Sequence, residues 1–164
     1  MNLYIDMDDV VADFKGYAQH ILGYPFNEQI LDEVEWNKVK LNQRLFRDLN
    51  LTVDARQMMS DIGKYLELNK HISIFFLTAI PRNNDCPWAF YDKVIWANRF
   101  FPNIPVLFGP YSRDKYKHCK FKTDILIDDR IENVNEWISA GGTAYLYDNW
   151  DNCKIWLEER IDNV

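Results

Sequence analysis

Five short stretches of the chain are apolar at nearly every successive position. They are Leu3-Tyr4-Ile5, Ile72-Ser73-Ile74-Phe75-Phe76-Leu77, Pro105-Val106-Leu107-Phe108, Asp124-Ile125-Leu126-Ile127 and Thr143-Ala144-Tyr145-Leu146-Tyr147. None alternates cleanly between apolar and polar residues. That pattern predicts strands buried on both faces, as in a parallel sheet covered by helices. Between them the spacing changes. Tyr91 to Phe100 repeats its apolar residues at helical intervals, and so does Ile131 to Ala140, which stops at Gly141-Gly142. Asp151 to Ile161 reads as a closing helix. Strands alternating with helices predict an α/β fold, a three-layer α/β/α sandwich around a Rossmann-like parallel sheet.

The segment from Lys15 to Asn69 breaks the rhythm. It is polar and helix-prone, punctuated by Pro25 and by Asn50-Leu51-Thr52-Val53-Asp54, and it holds no convincing buried strand. Its pattern predicts a small helical cap, residues 15–69, inserted after the first strand of a core formed by residues 1–14 and 70–164.

Composition narrows the functional classes. The chain has 164 residues, enough for one domain with a sizeable core, and 48% of them are hydrophobic. A formal net charge of −6 argues against a general affinity for nucleic-acid backbones, so nucleic acid is an unlikely partner. The three cysteines, Cys86, Cys119 and Cys153, form no CxxC pair and read as reduced thiols of a cytoplasmic protein. No membrane partner is expected, because no apolar run approaches the length of a bilayer span.

The chemistry concentrates where two strands end. After Leu3-Tyr4-Ile5 come Asp6-Met7-Asp8-Asp9, and after Ile125-Leu126-Ile127 come Asp128-Asp129-Arg130. Ligands of open α/β sheets bind beyond the carboxyl ends of the strands. If the two strands are neighbours, four carboxylates converge there and raise one another's pKa. A hard divalent cation relieves that repulsion, and Mg2+, which takes oxygen ligands and keeps several waters, suits an all-carboxylate set. No set of His and Cys ligands competes with it. Taken singly, Asp9, Asp13 or Asp129 would read as a turn former or helix N-cap. Two strand ends that both turn acidic do not.

These residues resemble the haloacid-dehalogenase-like (HAD) phosphohydrolases: Asp6-x-Asp8 after a first strand, Thr78 after a second, a downstream lysine, and Asp128-Asp129 after a later strand. Over nearly the whole chain, Asp6 to Phe14, Leu77-Thr78-Ala79 and Ile125 to Arg130 are similar to the 5'(3')-deoxyribonucleotidase family, with the helical insertion in the place of that family's small cap. One position departs from the pattern. Asp9 stands where many members have glycine, which puts the loop geometry in question but not the Asp6–Asp8 pair.

The resemblance implies a magnesium-dependent phosphomonoesterase acting on nucleoside monophosphates, with a small-molecule nucleotide as its partner and a homodimer possible. It makes Asp6 the nucleophile that forms an aspartyl-phosphate, and Asp8 the acid that protonates the leaving oxygen and then deprotonates water. Mg2+ would be held by the side chains of Asp6 and Asp128 and by the backbone carbonyl of Asp8, with Asp129 orienting the shell. Thr78 would hydrogen-bond a phosphoryl oxygen. The Arg113-Asp114-Lys115 pattern points to Lys115 as the neutralising cation, with Lys117 as runner-up; His118 reads as a surface or structural residue. Phe14 and Trp36 are candidate faces for a nucleobase, although Trp36 equally suits packing inside the cap. Ala79 and Arg82 are further substrate-side candidates, Arg82 lying in a stretch that equally suits a plain loop.

Two other readings remain open at this level. The same mechanism could serve a sugar phosphate or a nucleic-acid 3'-phosphate end. A phosphate-receiver domain also places acids, a Thr and a Lys at strand ends, but there the phosphorylated Asp follows a middle strand, and no acid follows Ile72 to Leu77 here.

Overall fold

The computed structural model describes residues 1–27, 31–41, 44–69, 71–81 and 86–161. Its five strands are β1 (Asn2–Ile5), β2 (Ser73–Thr78), β3 (Val106–Phe108), β4 (Ile125–Asp128) and β5 (Thr143–Leu146). They form one sheet in the order β3-β2-β1-β4-β5, with every pairing parallel. The helices are α1 (Phe14–Leu22), α2 (Glu33–Lys40), α3 (Leu45–Asp48), α4 (Ala55–Leu68), α5 (Ala89–Phe100), α6 (Ile131–Ser139) and α7 (Trp150–Ile161), with a 3-10 segment at Ser112–His118. Among the described residues, no helix is long and apolar enough to cross a membrane.

The two faces of the sheet read directly from strand parity. Leu3 and Ile5, Ile74 and Phe76, and Ile125 and Ile127 point into the larger core. Tyr4, Leu77 and Leu126 point the other way and pack with Trp137 of α6. Side chains of successive strand residues take opposite faces, so runs without alternation are what a sheet covered on both sides requires.

Three fully buried tryptophans show how the helices are anchored. Each indole N–H is satisfied: Trp96 donates to the carbonyl of Leu49, Trp137 to that of Asp124, and Trp150 to Asp61. An indole buried without a partner would carry a desolvation cost. The Trp150 bond belongs to a larger knot. Asp61 of α4 also accepts from Gln57, Lys64 and Lys154, which fastens α4 to α7.

The way into and out of the helical segment is zipped together. Ala12 bridges Leu51 antiparallel, Asp13 N donates to Asn50 O, and the Thr52 hydroxyl donates to Val10 O. The two ends of the segment between Asp13 and Asn50 are therefore held side by side. Helices α1 to α3 lie between those points, and α4 lies after them.

Candidate active site

Strand order fixes the location of the site. β1 is central, and the chain runs outward from it in both directions, through β2 to β3 on one side and through β4 to β5 on the other. The crevice at the carboxyl ends of β1 and β4 is thus the topological switch point of the sheet. Asp6 follows β1 directly, and its N–H donates to Ile127 O, extending the pairing with β4 by one residue. Asp128 is the last residue of β4.

Lys115 joins the two. Its Nζ lies 2.7 Å from Asp6 Oδ1 and 2.7 Å from Asp128 Oδ2, and the residue is 2% exposed. Burial works to lower the ammonium's pKa, but Asp128 and Asp6 outweigh it and hold the group above its ordinary value. Lys115 reaches this place because the 3-10 segment presses against Gly109. A Cβ at that glycine would come within 2.7 Å of Lys115 N. Lys117, by contrast, pairs with Asp114 at the surface.

The acids feel their burial. Desolvation pushes Asp128 up to about 6, against the pull of Lys115 and with a further push from Asp6. Asp129 is raised by desolvation and then by Asp6. Asp6, Asp128 and Asp129 each place a carboxylate oxygen within 4.8 Å of the others. This all-oxygen set, with Asp6 and Asp128 buried and Asp129 half-buried, fits a hard divalent cation by its donor chemistry. The side chain of Asp8 is not part of that group.

Asp8 faces the opposite way. Its Oδ2 accepts from Lys93 of α5 at 2.5 Å, and Lys93 Nζ also donates to the hydroxyl of Thr78 at 2.9 Å. Desolvation raises the pKa of Asp8, opposed mainly by Lys93. Thr78 is the last residue of β2 and fully buried, and Ala79, half-buried, follows it.

Asp9 resolves the departure in the loop. Its φ is +61°, a left-handed conformation that glycine adopts without strain. The side chain compensates locally: Oδ1 accepts from Lys15 N at 2.7 Å in the first turn of α1, beside the N-cap bond from Gly16 N to Asp13. Lys15 in turn pairs with Asp129 at 2.7 Å. Desolvation pushes Asp9 up to about 7, opposed by Lys15.

The structure brings Asp6, Asp8, Thr78, Lys115, Asp128 and Asp129 together. Phe14 of α1 and Trp36 of α2 lie in an aromatic cluster with Phe26 and with Phe46 of α3. Phe14 is 8% exposed, edge-on to Phe26, tilted against Trp36 and stacked on Phe46. Phe46 continues the cluster to within 4.6 Å of Lys93 Nζ. Arg82 lies outside the described residues. His118 hydrogen-bonds Phe108 O, a structural contact.

Two site residues escaped the sequence. Lys93 sits in the buried stripe of α5, among Ala89, Trp96 and Ala97. A lysine on an apolar helix face was the available signal. Asn133 of α6 donates to Asp128, and nothing local in the sequence distinguishes it.

A parallel sheet with a lysine between carboxylates at its switch point is the architecture of a HAD-like hydrolase. A hydrolase from Streptococcus pneumoniae TIGR4 shares the fold, with a TM-score of 0.53 and 16% identity over 96% of this chain and 97% of its own. A HAD family enzyme of Bacteroides thetaiotaomicron, crystallised as its magnesium complex, matches more loosely, with a TM-score of 0.47 and 16% identity over 93% of this chain and 96% of that one. Residues 1–164 match the family model of the 5' nucleotidase, deoxy (pyrimidine), cytosolic type C protein (NT5C), and the chain belongs to that family. It is therefore a phosphoric monoester hydrolase. A Vibrio phage KVP40 protein, provisionally assigned as a 5'(3')-deoxyribonucleotidase, is 28% identical over 134 residues, 80% of this chain and 67% of the phage protein.

Proposed function

We propose that the chain is a magnesium-dependent phosphatase of nucleoside monophosphates, with deoxyribonucleotides as its preferred class, working through an aspartyl-phosphate on Asp6. The observation that carries this reading is Lys115 lodged between Asp6 and Asp128 at the switch point of the sheet. A nucleophilic carboxylate must approach an anionic phosphate, and neutralisation by fixed positive charge lowers that barrier.

Asp6 and Asp128 would hold the cation with their side chains, Asp8 with its backbone carbonyl, and Asp129 within reach of the same ion. The bound Mg2+ would supply charge neutralisation and orient the phosphate. Asp6 attacks phosphorus, the bond to the sugar oxygen breaks, and its electron pair leaves on that oxygen, which takes the proton of Asp8. Asp8, now a carboxylate, takes a proton from water as the water oxygen attacks phosphorus, releasing phosphate and restoring Asp6. A raised pKa on Asp8 suits the acid's role. Lys115 and the Thr78 hydroxyl would contact phosphoryl oxygens.

The inserted unit would supply selectivity. The zipped pairs at Ala12–Leu51 and Asp13–Asn50, with α4 fastened to α7, support an insertion shorter than residues 15–69, ending at about Asn50. Its aromatic cluster at Phe14, Trp36 and Phe46 approaches Lys93 through Phe46; Phe14 and Phe46 are buried against each other, which leaves the half-buried Trp36 as the face that could stack a base. The three free thiols are compatible with a reducing cytoplasm.

A phosphate-release screen tests the reading. The panel holds all ribo- and deoxyribonucleoside monophosphates, a sugar phosphate and a 3'-phosphorylated oligonucleotide, each with magnesium and with EDTA. We expect magnesium-dependent turnover that is highest on deoxyribonucleotides and abolished by Asp6→Asn. Turnover that survives Asp6→Asn overturns the mechanism, and preference for the sugar phosphate or the oligonucleotide overturns the substrate class.

A further inference from the structure

Lys93 is a lysine where a helix buries its apolar face, and its charge is fully accounted for. The residue is 1% exposed, and an ammonium has three hydrogens to place. One goes to Asp8 Oδ2 at 2.5 Å and one to Thr78 Oγ1 at 2.9 Å, while the ammonium sits 4.6 Å from the centroid of the Phe46 ring. A buried charge that failed to meet such partners would cost several kcal/mol, on the order of the penalty for an unpaired ion. The same buried stripe admits one other charge, Asp92, and that too is met by a partner, Arg44.

We infer that Lys93 is a positioning residue that sets the direction of proton delivery in the reaction proposed above, on which this inference rests. The argument is one of hydrogen-bond direction. An ammonium donates and cannot accept. When the Asp8 carboxyl is protonated, the oxygen facing Lys93 must therefore be the bare one. The acid proton is confined to Oδ1, which is shielded from bulk water and has no hydrogen-bond partner among the described residues. The same logic orients Thr78. Its oxygen accepts from Lys93, so its hydroxyl hydrogen is free for a phosphoryl oxygen. One ammonium thus fixes the donor for the leaving group and the donor for the phosphate relative to each other. Phe46 caps the third side of that ammonium from the inserted unit, so the cap touches the proton-delivery apparatus directly.

Leaving-group dependence tests this. A deoxyribose oxygen leaves as a poor alkoxide and needs a proton, whereas 4-nitrophenolate leaves without one. In Lys93→Met the kcat for dUMP should fall by roughly 10²–10⁴, the usual worth of a positioned general acid, while the kcat for 4-nitrophenyl phosphate falls at least about tenfold less. Residual 4-nitrophenyl phosphatase activity and an unchanged circular dichroism spectrum show that the variant is folded. If Lys93→Met does not fold, Lys93→Arg decides by the same ratio, with a smaller drop. An equal loss on both esters, or no loss on either, in a folded variant overturns the role of Lys93 and leaves the phosphatase reading intact. Failure of the wild-type protein to hydrolyse both esters in magnesium overturns the phosphatase reading, and this inference with it.

Discussion

Asn133 reaches both oxygens of Asp128: its amide nitrogen lies 2.8 Å from Oδ1 and 3.0 Å from Oδ2. The amide is itself oriented, because its carbonyl oxygen accepts from the Ser112 hydroxyl at 2.7 Å. Arg130 N adds a second donor to Oδ1. The strand end is thus held in one orientation from the 3-10 segment, from α6 and from its own backbone, while Lys115 holds Oδ2.

Partners of this kind around a metal carboxylate are typically worth 10–100-fold in affinity or activity. Asn133→Ala should therefore lower magnesium affinity, measured as the magnesium concentration for half-maximal phosphate release, by roughly 10–100-fold. Asn133→Asp should be worse, because it sets a second carboxylate against Asp128. Equal half-saturation in wild type and Asn133→Ala would remove Asn133 from the support of the site.

In the proposed site Lys115 and a bound cation would neutralise the same carboxylates, so they should substitute for one another in stability. Lys115→Met leaves Asp6 and Asp128 buried without their partner, and breaking a buried pair in this way costs about 3–5 kcal/mol. A ligand that binds only the native state returns stability by mass action. Thermal melts should show a large loss for the variant in EDTA and a larger gain on adding magnesium than the wild type shows. Equal gains in the two proteins would mean that lysine and cation do not share these charges.

Much of this was legible from the chain alone, and the reason is physical. β-strands buried on both faces must be apolar throughout, so all five strands stand out, and the acids at their ends are conspicuous against that background. The Arg113-Asp114-Lys115 pattern points to Lys115 ahead of Lys117, and the structure places the first between Asp6 and Asp128 and the second at the surface. Asp13 as an N-cap is equally local and equally readable. What was hidden depends on contacts far apart in sequence. Lys93 meets Asp8 across 85 residues, and α4 meets α7 through Asp61 and Trp150 across 89. The left-handed turn at Asp9 is intermediate, since its charge is visible but its capping of Lys15 is not.

Asp61 should govern part of the acid stability. Hydrogen bonds from Trp150 and then Gln57 hold its carboxyl well below the usual carboxylate range, with Lys64 and Lys154 contributing. The folded state therefore binds its proton less readily than the unfolded chain does. The stabilisation is complete above the unfolded pKa, about 4, and is lost as pH falls through the depressed folded value. Asp61→Asn should cost about 1.5–3 kcal/mol at neutral pH, the range for hydrogen bonds to a charged group, and should flatten the acid limb of a stability-versus-pH curve from urea denaturation. Parallel curves for the two proteins would show that Asp61 does not titrate with folding.

Arg44 and Asp92 tie the start of α3 to α5, one residue from Lys93. Arg44 Nη1 lies 2.8 Å from Asp92 Oδ1, and the side chains are 41% and 0% exposed. Asp92 Oδ2 is buried with no hydrogen-bond partner among the described residues, so Arg44 carries most of the compensation. Arg44 does so from a left-handed backbone, φ +68°, a conformation that costs a non-glycine residue free energy. Removing the two partners is therefore unequal. Arg44→Ala strands a buried carboxylate and should cost about 2 kcal/mol, between the values for surface pairs and for fully buried ones, because water reaches the arginine end. Asp92→Asn removes the buried charge instead and should cost less. The double variant should be more stable than Arg44→Ala alone, a coupling that a double-mutant cycle of urea midpoints reads directly. Strict additivity in that cycle would show that the pair does not latch α3 to α5.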